Sequence, residues 1–194
     1  MTKLLLLLAA SSLALTGCGN AANPNTDRAE APATGMTDTS ASAPAAAALA
    51  VSAQDYVAEA AAGNEFEIQA SELVLKETKN NAVRAFAQQM VSDHSAAGTK
   101  LMALVKTGGL SAPGTGLHAK QQNDLAALRD AGSGMDALYV EQQRAAHAEA
   151  IALHQAAASN AALPAPLTGF ANDVLPTIQA HARMLDDMKT PARG

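Results

Sequence analysis

The chain has no tryptophan, one cysteine, two tyrosines and three phenylalanines among 194 residues. A single cysteine excludes an intrachain disulfide. A core this short of aromatic bulk must be filled by alanine, leucine, valine and methionine, which pack closely when helices approach one another. Alanine is the strongest helix former and a weak strand former, so the composition points to an all-α fold. Basic residues are also scarce: 13 Lys and Arg stand against 18 Asp and Glu, a formal charge of −5. Without residues 1–17, which contain Lys3, the charge is −6 (12 basic, 18 acidic). That balance excludes the basic face a nucleic-acid partner requires. No Gly-rich phosphate loop follows a strand pattern, and no serine sits in a nucleophile elbow.

The beginning of the chain reads as an export signal. Lys3 supplies the positive start, and Leu4–Leu8 with Ala9–Leu15 make an apolar core. That core falls short of the ~20 apolar residues of a membrane-spanning helix. It ends in Leu15-Thr16-Gly17-Cys18, which resembles the bacterial lipoprotein signal. The resemblance implies a signal peptide over residues 1–17, cleavage before Cys18, and lipid attachment to Cys18. The membrane is then a partner through that anchor. Gly19 stands where enteric bacteria use Asp to retain a lipoprotein at the inner membrane. The expected address is therefore the outer membrane, facing the periplasm. Residues 18–52, with Pro24, Pro32 and Pro44 among Ala, Ser, Thr and Asn, read as a lipidated cysteine and a disordered tether.

Four long helical patterns fill the expected domain at residues 53–189, with a tail at 190–194. The first runs from Gln54 to Thr78, with Tyr56, Ala60, Gly63, Glu67, Ala70 and Val74 on one side. Asn80-Asn81 makes the turn and caps the second, Asn81 to Thr107, which Gly108-Gly109 ends. The third runs from Met135 to Ser159 and the fourth from Ala165 to Met188, the latter interrupted by Pro176. Between the second and third, residues 110–134 form a long connector with a short helix at His118–Ala131, Leu125 and Leu128 inward. It is long enough to cross the bundle, and the sequence leaves that topology open.

Each long helix carries a polar residue in mid-stripe: Glu67, His94, His147 and His181. Glu67 precedes Asn80 by 13 residues and His94 follows Asn81 by 13, so an antiparallel pair holds them at one level. His147 and His181 are each 17 residues from the loop near Pro164 and share a level by the same count. Met90, His154 and Met184 lie on the same faces as further candidate ligands. Three readings compete. One is a site for one transition metal ion (Cu, Zn or Fe) on Glu67, His94, His147 and His181. The second is a structural polar network, with Glu67 paired to a histidine, in an interaction or stress-protective module of the envelope. The third is that the four residues are partly exposed at a widened, kinked bundle and do nothing jointly. Beside these stands a metal-dependent redox enzyme. It is the weakest, because Val91, Arg144 and Ile178 stand where a Glu-x-x-His di-iron site would place its carboxylates. No catalytic residue is assigned, and the weight falls on a non-enzymatic protein.

The runs Ala61-Ala62-Gly63-Asn64-Glu65-Phe66-Glu67-Ile68 and Val83 to Ser95 through Phe86-Ala87-Gln88-Gln89-Met90-Val91-Ser92-Asp93-His94 resemble the bacterial domain-of-unknown-function family 4142. So do Tyr139-Val140-Glu141-Gln142-Gln143 leading to His147 and Leu175-Pro176-Thr177 leading to His181. The resemblance covers residues 53–188. It implies a ferritin-like four-helix bundle, exported to the envelope, with Glu67, Asp93, His94, His147 and His181 near its centre. It names no reaction. His154 departs from the family pattern, where an aromatic is usual, and Met135 replaces a usual Phe.

Overall fold

A computed structural model describes residues 51–114, 116–189 and 191. The export signal, Cys18, the tether up to residue 50 and tail positions 190 and 192–194 lie outside the described residues. Helix α1 spans Ala53–Glu77, α2 Asn81–Thr107, α3 Ala119–Asp130, α4 Met135–Ala158 and α5 Ala165–Asp187. A 3₁₀ turn, Gly132–Gly134, leads into α4. No strand occurs among the described residues.

Each helix begins and ends where its sequence dictates. The Ser52 hydroxyl accepts the amide of Asp55 at the start of α1. Asn80 Oδ1 accepts the amides of Ala82 and Val83 at the start of α2, leaving two fewer orphan donors. Gly109 ends the second helix with φ of 65°, a conformation that disfavours any residue bearing a Cβ. Helix α5 continues through Pro176, an exposed position. The missing amide there leaves the Asn172 carbonyl without its helical donor.

The direction of each helix follows from its cross-contacts. Tyr56 near the start of α1 meets His154 late in α4, and Ser71 late in α1 meets Tyr139 early in α4. These two helices are antiparallel. Asp93 meets His181 and Lys100 meets Asp173, so α2 and α5 are antiparallel too. Because α1 and α2 form one hairpin and α4 and α5 another, α2 and α4 run parallel. The connector must therefore return along the length of the bundle. Its path is marked by Gln54 bonding to the Ser111 carbonyl at one end, and by Leu125 and Leu128 in the cluster with Val74 and Val83 at the other. This is a four-helix bundle with the single long crossover of ferritin-like folds.

The apolar core comes in two clusters. One gathers Phe66, Val74, Phe86, Met90, Leu128, Tyr139 and Leu185. The other gathers Tyr56, Leu101, Val105, Leu163, Leu167 and Phe170. Between them along the helices lies a buried polar layer of Glu67, His94, Gln143, His147 and His181.

Candidate metal centre

The four helices deliver the layer as the residue counts require. One ring nitrogen from each of His94, His147 and His181 lies within 4.8 Å of one from each of the others. The ring centroids are 5.5–5.9 Å apart. All three residues are buried, at 6%, 1% and 1% exposure.

Each ring has one nitrogen engaged and one unpartnered. His94 donates from Nδ1 to Asn64 Oδ1 at 2.9 Å, His147 from Nδ1 to the Gln143 carbonyl at 2.9 Å, and His181 from Nε2 to Asp93 Oδ2 at 2.9 Å. The engaged nitrogen carries the proton, which leaves a lone pair on the other. Those others, His94 Nε2, His147 Nε2 and His181 Nδ1, are buried without a hydrogen-bond partner. A buried polar atom in that condition costs about 1–3 kcal/mol. An acceptor behind each imidazole that fixes its tautomer is the usual support of a metal-binding histidine.

The electrostatics agree with this chemistry. Burial pushes His94 down to about 3, with the neighbouring histidine rings adding to the effect. Burial likewise pushes His147 down to about 4 and lowers His181, against the pull of the Asp93 carboxylate. The rings are neutral at pH 7 and already in the form that ligates. Nitrogens around a tetrahedral ion stand about 3.3 Å apart, given metal–nitrogen bonds of about 2.0–2.1 Å. Three nitrogens within 4.8 Å reach that spacing by small ring movements. The residues present therefore fit a transition metal ion.

Glu67 shares the layer but stands one step back. Its Oε1 lies 3.5 Å from Nδ1 of His147, the nitrogen already bonded to Gln143, and its Oε2 has no partner. Burial raises its carboxyl to about 8, and the adjacent Gln143 amide only partly opposes the rise. Glu67 thus stands beside a histidine, as the network reading expects, at 3.5 Å. With the acid raised and the ring lowered, both partners are neutral, because desolvation outweighs their attraction at this distance.

The three extra candidates fall elsewhere. Met184 is 37% exposed, its three-residue offset from His181 having carried it round to the surface. Met90 is buried in the apolar cluster with Phe86. His154 is buried, pushed down to about 4 by desolvation, and its Nδ1 shares a hydrogen bond with the Tyr56 hydroxyl at 2.9 Å. It packs edge-on against Tyr56 and Phe170, so it fills the aromatic's place in the core while keeping a polar tip.

Asn64 and Gln143 escaped the sequence reading, although the signal was there. Asn64 precedes Glu67 by three residues and Gln143 precedes His147 by four, both spacings that keep a side chain on the same helix face.

The chain belongs to the family described as a domain of unknown function (DUF4142), which matches residues 38–188. No curated protein and no solved structure shows a significant match to the chain.

Proposed function

We propose that the protein is an envelope lipoprotein whose bundle binds one transition metal ion through His94, His147 and His181. One observation carries this reading: three buried imidazoles bring ring nitrogens within 4.8 Å of one another, and each keeps one nitrogen unpartnered while an acceptor engages the other. Glu67 acts beside the ligands, through His147. Imidazole nitrogens suit Zn, Cu and Fe.

The test is metal content of the purified protein by elemental analysis, repeated with His94→Ala and His147→Ala. One ion per chain, lost in both variants, supports the proposal; a metal-free wild type after reconstitution with Zn, Cu and Fe rejects it. The envelope address rests on Leu15-Thr16-Gly17-Cys18 and on Gly19. It predicts palmitate incorporation that disappears in Cys18→Ser, and recovery in the outer-membrane fraction. Among the described residues no helix is long and apolar enough to cross a membrane.

A second reading has its own support. Side-chain bonds such as Tyr56–His154 and Ser71–Tyr139 tie α1 to α4 through buried polar groups. On that reading the layer is a structural network within an interaction or stress-protective module. The unpartnered nitrogens speak against it, since a network that exists for stability satisfies its members.

A further inference from the structure

A cavity of about 250 Å³ lies between α2 and α5. Two of the three converging rings, His94 and His181, face it. Its walls include Asn64, Ala97, Val174 and Thr177, and its edge carries the Lys100–Asp173 ion pair at 2.6 Å, with both side chains more than half exposed. The opening has a structural origin. Of the four contacts between neighbouring long helices, that between α2 and α5 is the sparsest. Ala97 contributes little bulk on one side, and on the other the wall of α5 straddles Pro176.

The donor set and this cavity belong together chemically. Three neutral imidazoles satisfy three positions of a four-coordinate ion and leave its double charge uncompensated. A closed structural site supplies a fourth protein ligand, whereas a site that works on an outside molecule keeps that position open. Of the nearby carboxyl groups, Asp93 is engaged with His181 Nε2, the nitrogen away from the unpartnered Nδ1; Asp173 is paired with Lys100 at the cavity edge; and Glu67 stands beside His147 Nδ1, the nitrogen away from its unpartnered Nε2. The Asn64 carbonyl oxygen is taken by His94, so its amide hydrogens remain to donate, as does the Thr177 hydroxyl. A water claims about 30 Å³ of liquid volume, so the cavity holds far more than one. It has room for a small anion with its hydration.

Resting on the metal reading above, we propose that this cavity leads to a fourth coordination position, where a small monoanion entering between α2 and α5 binds the ion. The occupant is an anion of a few heavy atoms, held by the metal charge and by donors from Asn64 and Thr177.

Cobalt(II) as the metal and azide as the anion test this. The purified protein is stripped with chelator, titrated with cobalt and followed by its visible d–d absorption, then titrated with azide. The expected result is one cobalt per chain, a saturable spectral change at one azide per cobalt, and at least a tenfold loss of azide affinity in Ala97→Phe and Val174→Phe with cobalt stoichiometry retained. The two variants fill the cavity from opposite helices, and circular dichroism identifies one that fails to fold, leaving the other to decide. Stoichiometric cobalt whose spectrum azide leaves unchanged overturns this inference and spares the metal reading. Azide binding of wild-type strength in both folded variants overturns the route. Failure to bind cobalt at all sinks the metal reading and this inference with it.

Discussion

Replacing His147 with leucine is expected to make the metal-free protein more stable. His147 is 1% exposed, and its Nε2 has no partner. Removing that orphan recovers a desolvation penalty of about 1–3 kcal/mol. Little is lost in return. The Gln143 carbonyl, which accepts His147 Nδ1–H, keeps its helical bond from the backbone amide of residue 147. The Glu67 contact is 3.5 Å, longer than a normal hydrogen bond, and links two neutral groups. The net gain is therefore about 1–3 kcal/mol, or roughly 3–10 °C in Tm for a domain of this size. Thermal and urea unfolding in excess chelator measure it. With a metal ion the order reverses, because a ligand at a thousandfold excess over its Kd stabilises the wild type by about 4 kcal/mol and the variant by none. A metal-free His147→Leu protein less stable than wild type by 1 kcal/mol or more would refute the argument. The ring would then be a structural keystone, as the network reading requires.

Three further outcomes follow from the same geometry. The stability of the metal-free protein should peak near pH 7, where the protons taken up by the unfolded histidines balance the one held by folded Glu67. Below that value the unfolded chain takes up protons that the folded His94, His147 and His154 refuse until about pH 4 or lower, with His181 lowered in the same direction, so stability falls as pH drops, by about 1.4 kcal/mol per unit for each net proton. Above it Glu67 dominates. Its folded carboxyl holds a proton to about 8 while the unfolded one releases it near 4.5, so stability declines as pH rises. Urea titrations from pH 5 to 8 that instead show stability increasing from 6.5 down to 5 would restore a charged Glu67–His147 pair. Asp93→Ala should weaken metal affinity 10- to 100-fold in chelator competition while one ion still binds at saturation, because His181 loses the acceptor that orients it; unchanged affinity would deny Asp93 that role. Tyr56→Phe should cost about 1–3 kcal/mol by leaving His154 Nδ1 unpaired and should leave metal affinity alone. A loss of affinity equal to that of Asp93→Ala would put His154 at the ion.

The architecture was legible because each helix advertised both its ends and its inward face. Asn80, the Gly108-Gly109 pair and Pro164 bracket the segments, and the observed termini fall within one residue of the expected ones. Counting from those turns placed the three histidines at one level without any knowledge of the connector. Four things were not legible. Crossing of the connector is a tertiary choice; it emerges only from contacts such as Ser71–Tyr139, and both topologies satisfy the same residue spacing. The state of Glu67 depends on desolvation, which a helical wheel does not report, so the spacing names a histidine neighbour for it and leaves its charge open. The rotation of Met184 out of the layer reflects a wheel angle of about 60° from His181, at the margin where packing decides. Phe66 and Val57 also lie in the core although neither was on the expected stripe, because α1 is flanked by both α2 and α4 and buries a wider arc than one partner would require.

The crossover has a consequence for how the centre comes into being. The α1–α2 hairpin brings one imidazole and the α4–α5 hairpin brings two, while the intervening segment that joins them spans the whole bundle. Neither hairpin alone can complete a tridentate site. Metal capture therefore waits for the two halves to dock, and an ion once caught works as a clasp across the seam between them. Nicking the backbone within residues 111–114 would sever the covalent link but leave that clasp, so cobalt or zinc should decide whether the separated pieces stay together.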